Sequence, residues 1–76
     1  MKLFFGAQLS QLTPHQQSEF EIELDSPIPF IRLLDDYNVP VDMVHLLIIN
    51  GKIAKPDQAI VEDQDHVIVY PYVTGG

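Results

Sequence analysis

Cysteine is absent from this chain of 76 residues, which excludes disulfide staples, a thiolate nucleophile and a thiolate metal site. Basic residues are scarce: four Lys and Arg stand against eleven Asp and Glu, a formal net charge of −7. Phosphate neutralisation needs clustered Lys and Arg, so this balance argues against a nucleic-acid partner. It favours a partner with a basic docking surface. No apolar stretch approaches the roughly 20 residues that span a bilayer, so no membrane partner is expected. Met1 to Ala7 carries one positive charge and then apolar residues, but Gln8, Ser10 and Gln11 interrupt it too early for a signal-peptide core. The segment reads as a strand, and a cysteine-free chain without such a signal fits the reducing cytoplasm.

What is present is enough apolar material for one small domain. The hydrophobic fraction is 46%, ordinary for a globular chain despite the charge, in a length close to the lower limit for a self-sufficient core. Lys2 to Ala7 has the aromatic content of a first strand. Gln8 to Ser18 is polar and interrupted by Pro14, which predicts a hairpin loop with a short helical turn at its start. From Glu19 to Leu24, glutamates alternate with Phe20, Ile22 and Leu24; this predicts a strand with one wet and one covered face.

Asp25-Ser26-Pro27 has the look of a helix start, with Ser26 as N-cap, Pro27 at the first helical position and Pro29 within the first turn. Ile31, Leu34 and Tyr37 fall at helical spacing, widened by Phe30 and Leu33, while Arg32, Asp35 and Asp36 face outward. Asn38 and Pro40 end the helix. Leu46 to Ile49 is a continuous apolar run that suits a strand buried on both faces. Asn50-Gly51 is a hairpin turn signal, followed by a short strand at Lys52 to Ala54. A polar turn at Glu62 to Asp65 leads into the last strand, His66 to Tyr70.

This order predicts an α+β fold in which one short helix covers a mixed sheet of four to five strands. The apolar first and last strands become parallel central partners. That is the β-grasp (ubiquitin-like) arrangement, with a ferredoxin-like fragment as the competing one. The expected division is a domain over residues 1–70 and a flexible tail over residues 71–76.

Side-chain chemistry is sparse. His15, His45 and His66 have no ligand-like spacing. Asp57, Glu62, Asp63 and Asp65 lack the spacing and glycine of a calcium loop and read as a solvated turn. Phe4, Phe5, Leu46 to Ile49 and Val67 to Val69 read as core. The notable feature is Gly75-Gly76, directly after Tyr70-Pro71-Tyr72-Val73-Thr74. Glycine packs nothing and is costly to order, but it makes a thin tail that can enter another protein's active site carboxylate-first. Tyr70, Pro71, Tyr72, Val73 and Thr74 are then candidate partner-binding residues, although Tyr70 could equally pack on its own domain.

Three segments carry a family likeness: Leu47-Ile48-Ile49-Asn50-Gly51-Lys52, Val61 to Val67, and Tyr70 to Gly76. They resemble the MoaD/ThiS family of ubiquitin-like sulfur carriers, and Leu3 to Leu12 is similar to the start of the small subunit of molybdopterin synthase. The chain departs from the family pattern at Gln64, where a turn glycine is usual, at His66, where glutamate is common, and at Tyr72, in place of a second proline.

The resemblance implies that Gly76, assisted by the bare Gly75, is adenylated with ATP by an adenylyltransferase related to ubiquitin-activating enzymes. It is then converted to a thiocarboxylate. The implied acceptor is the large subunit of molybdopterin synthase, with thiamin, cysteine, tRNA or another cofactor as alternative destinations. No permanently bound cofactor and no autonomous catalytic site are implied; the carrier is a co-substrate or a small subunit. A ubiquitin-like protein modifier and a binding module without tail chemistry are the other readings.

Overall fold

The alternation of glutamate with apolar residues after Ser18 places a strand beside the N-terminal one. In the computed structural model, which describes residues 1–72, β1 (Lys2–Phe5) pairs antiparallel with β2 (Glu19–Glu21). The pairing continues past the formal strand end: the Met1 ammonium donates to the Ile22 carbonyl at 2.7 Å, and the Ile22 N–H donates to the Met1 carbonyl at 2.9 Å. Short 3-10 turns at Ala7–Leu12 and Pro14–Gln16 fill the connection.

The predicted helix start lies too early. Ser26 and Pro27 precede a short strand, β3 (Ile28–Pro29), and helix α1 occupies Phe30–Asp36 with Pro29 at the N-cap position. The reason is local: a residue before proline is pushed out of the helical region, so Pro27 and Pro29 disfavour helix at Ser26 and Ile28. Ile28 then pairs with Val61 of β6 (Ile60–Val61), and the Phe30 N–H donates to the Ala59 carbonyl at 2.9 Å. Asn38 ends the helical segment in the left-handed region at φ 62°, where its side chain is tolerated.

After a 3-10 turn at Val41–Met43, β4 (Val44–Ile49) turns through Asn50 and Gly51, with φ of 52° and 81°, into β5 (Lys52–Ala54). Positive φ at both central residues is the type I′ hairpin requirement. The last strand, β7 (His66–Pro71), runs one residue further than the sequence predicts. It is the middle strand of a five-stranded sheet ordered β2-β1-β7-β4-β5, parallel to β1 and antiparallel to β4. This is the α+β, β-grasp arrangement; the ferredoxin-like fragment fails because β1 and β2 pair as consecutive antiparallel strands before any α-helix.

Phe30, Leu33 and Leu34 of α1 pack with Leu3, Phe5, Leu47, Val61, Val67 and Val69 in the core. An aromatic group seals its edge: Phe20 and Tyr37 have ring centroids 4.5 Å apart, and Phe5 lies within 6.1 Å of Phe20 and 5.9 Å of Tyr37. The predicted double-sided burial of Leu46 to Ile49 does not hold. Val44 and Leu47 are buried, whereas Leu46 and Ile48 sit half-buried on the sheet face away from α1.

Asp65, expected in a solvated turn, is buried instead. Its carboxylate accepts from the Asn50 side-chain amide and from the Glu62 N–H, both at 2.8 Å. Its carbonyl accepts from the Lys2 N–H at 3.0 Å. Asn50 completes the corner, accepting from the His66 N–H at 2.9 Å and donating its own N–H to the His66 carbonyl at 2.9 Å. Gln64 is not among the described residues with positive φ, so this turn closes without the glycine usual in the family.

Replacing Asp65 with Ala strands the Asn50 amide and the Glu62 N–H, and is expected to cost about 3 kcal/mol. Urea unfolding measures this, and a loss under about 1 kcal/mol would show that the corner contributes little. Burial, and secondarily the Asp36 charge, raise the Tyr37 pKa. The folded state therefore holds that phenol proton more tightly than the unfolded chain. Its contribution is fully present below the unfolded value of about 10 and falls as pH rises through the higher folded value. Tyr37→Phe should flatten that part of the alkaline stability loss in urea midpoints; an unchanged profile would contradict it.

Candidate functional site

Side chains alternate across a strand, so the register of the sheet decides what each face shows. With Leu3, Phe5, Leu47, Val67 and Val69 turned toward α1, the opposite face receives Phe4, Ile68, Ile48 and Ile53. These four are cross-strand neighbours, Phe4 beside Ile68, Ile68 beside Ile48, and Ile48 beside Ile53, with Glu19 continuing the row beside Phe4. One apolar row thus crosses four adjacent strands on the open face and reaches Ile53, which is 77% exposed. Sequence patterning alone assigns Phe4, Ile48 and Ile68 to the core; only the pairing reveals that they share an uncovered face.

The C-terminal approach is built on the same face. Tyr70 lies opposite Leu46 and packs over Gly6, where an added Cβ would stand 2.5 Å from the ring. It also meets Phe4 edge-on, with centroids 6.2 Å apart and planes at 67°. Gly6 has an ordinary φ of −85°, so the close approach of the ring, not backbone freedom, requires glycine there. The domain-packing alternative for Tyr70 is therefore the one observed, although the residue keeps 40% of its surface exposed.

Pro71 is buried and paired with Val44, inside the sheet. Tyr72 is 56% exposed and its ring lies tilted against His45, with centroids 4.6 Å apart. Val73, Thr74, Gly75 and Gly76 lie outside the described residues, as does most of the expected tail.

The remaining polar residues do not converge on a site. Among the described residues, no three His, Cys, Asp or Glu side chains stand close enough to hold a metal ion. Asp63 accepts from the Leu24 N–H at 2.8 Å and lies 3.8 Å from the Met1 ammonium, which ties the turn to the N-terminus. A shallow groove of about 570 Å³ follows β2 and is lined by Lys2, Phe4, Glu19, Glu21, His66 and Ile68. Tyr70 and Tyr72 do not line it. No described helix is long and apolar enough to cross a membrane.

Gly6→Ala should displace the Tyr70 ring and cost about 1–2 kcal/mol. In a Tyr70→Ala background the cost should fall sharply, because only the Phe4 ring, 3.3 Å from the added Cβ, must then give way and alanine restricts the unfolded chain. Equal costs in both backgrounds, read from thermal or urea unfolding, would exclude the packing account.

Compared with protein-family models and with curated proteins, the chain gives no match. What bears on function is therefore the residues themselves and the geometry that holds them.

Proposed function

We propose that the chain is a ubiquitin-like sulfur carrier of the MoaD/ThiS type, with the carboxyl group of Gly76 as its reactive group. The observation that carries this reading is the position of β7. The middle strand of a β-grasp sheet leads through Pro71 and Tyr72 into Val73-Thr74-Gly75-Gly76. The sequence of the tail and the fold that precedes it agree with one another.

The chemistry follows from the carboxylate. A carboxylate is a poor electrophile. Attack of Gly76 on the α-phosphorus of ATP, in the active site of an adenylyltransferase, gives an acyl-adenylate and releases pyrophosphate. Hydrosulfide then attacks the acyl carbon, AMP leaves, and a thiocarboxylate remains. Gly75 and Gly76 present that carbon without a side chain to obstruct either attack. The domain contributes recognition and position, while the acid, base and metal chemistry belongs to the partner. Molybdopterin synthesis in the cytoplasm is the destination favoured by the tail and by Leu3 to Leu12, with the large subunit of molybdopterin synthase as acceptor.

Intact-mass analysis after incubation with ATP, an adenylyltransferase and sulfide tests the reading. Exchange of one oxygen for sulfur is the expected change; lysine conjugates would indicate a modifier, and an unchanged mass a binding module. Deleting Gly76, or adding a residue after it, should abolish loading and leave the melting temperature unaltered. Normal thiocarboxylate formation by either variant would sink the proposal.

A further inference from the structure

The β4–β7 ladder is irregular at one place. Val44 pairs with Pro71 and Leu46 with Tyr70, leaving His45 as an extra residue on β4. Proline has no N–H to give to a ladder, and the irregularity falls beside it. A bulge puts two consecutive side chains on one side of a strand and re-aims them. Here Val44 and Leu47 are buried, while His45 is exposed and Leu46 half-buried between them. The His45 ring comes to lie against Tyr72, centroids 4.6 Å apart and planes at 43°. On the other side of β7, Tyr70 is held over Gly6 and Phe4. The two tyrosines therefore lean toward opposite neighbours of the central strand.

We propose that His45 is a positioning residue: its imidazole clasps Tyr72 and fixes the point from which Val73 to Gly76 depart. This rests on the carrier reading for its consequence, not for its geometry. A tilted ring contact of this kind favours the held arrangement over the released one by roughly two- to tenfold. The clasp is thus strong enough to bias Tyr72 and weak enough to open. A partner that accepts the tail from a held Tyr72 binds a domain whose competent state is already populated. Without the ring, its apparent affinity falls by the fraction lost.

The test compares the full chain with His45→Ala and His45→Phe, the second restoring a ring. By NMR, His45→Ala should lose the ring-current shifts of the Tyr72 side chain. Its Tyr72 amide order parameter should drop from near the rigid value of about 0.85 toward about 0.6. His45→Phe should restore both, and unchanged Leu3 and Val67 amide shifts, from the central strand pair away from the substitution, verify that the sheet is intact. In adenylation assays, His45→Ala should raise KM for the carrier about threefold with kcat unchanged, and His45→Phe should reverse it. Identical Tyr72 shifts and order parameters in the natural chain and His45→Ala would overturn the clasp. So would an altered clasp with no change in KM. If the natural chain is never adenylated, the carrier reading fails, and the NMR comparison still decides the clasp.

Discussion

The parallel β1–β7 pair is tied to the end of β4 at one buried residue, Asp65. No hairpin turn can set the register of that pair, because Lys2 and His66 are partners from opposite ends of the chain. Asp65 supplies a constraint there. Its carbonyl receives the Lys2 N–H, and its carboxylate receives the Asn50 amide and the Glu62 N–H. Asn50 in turn grips both the N–H and the carbonyl of His66. Three strands are thereby indexed at one corner: the start of β1, the end of β4 and the start of β7. Burying a charge is costly unless its lone pairs are filled. Among the described residues, no buried side-chain polar atom lacks a partner.

Indexing matters because a slip of one residue turns every side chain to the other face. In the observed register, Leu3, Phe5, Val67 and Val69 meet Phe30, Leu33 and Leu34 beneath the sheet. The same register gathers Phe4, Ile68, Ile48 and Ile53 above it. The open apolar row and the closed core therefore follow from one register, tied at the Asp65 corner. The exposed ends of the sheet are handled locally: β2 and β5 are three residues each, and Glu19 and Glu21 flank the first. Short, charged edges discourage pairing with another chain.

Much of this was legible in the residues, for identifiable reasons. Glu19 to Leu24 announced its two faces because its period is 2, and Asn50-Gly51 announced its turn because few residues accept positive φ twice in succession. The parallel central pair followed from the apolar content of the first and last strands. The helix start at Ser26 misled because capping preference is local, whereas the pairing of Ile28 with Val61 is a tertiary contact. Leu46 to Ile49 misled in a different way: an apolar run marks a strand inside a sheet but not how many of its faces are covered. Asp65 looked like any solvated aspartate, since burial of a polar side chain depends on partners far away in sequence. His45 carried no signal at all; the bulge that aims it arises from the pairing of β4 with a strand containing proline.

The tail motif and the domain contribute different things to the proposed chemistry. Reaction at a main-chain carboxyl calls on no acid, base or metal from the carrier, so the reactive end is read from sequence, and the domain from structure. What the fold adds is a fixed origin. Tyr72 stands four residues before Gly76, a reach of at most about 14 Å when extended. An origin on an edge strand or a loose loop would let that reach sweep a broad region. Here it issues from the middle strand of the sheet, flanked by β1 and β4. Tyr70 is wedged over Gly6 on one side, and Tyr72 lies against His45 on the other. On the proposed reading, holding these two tyrosines toward opposite neighbours of β7 lowers the conformational cost that a partner would meet in taking the tail. On the same reading, the domain therefore affects the rate at which the Gly76 carboxylate is used by where it holds the chain.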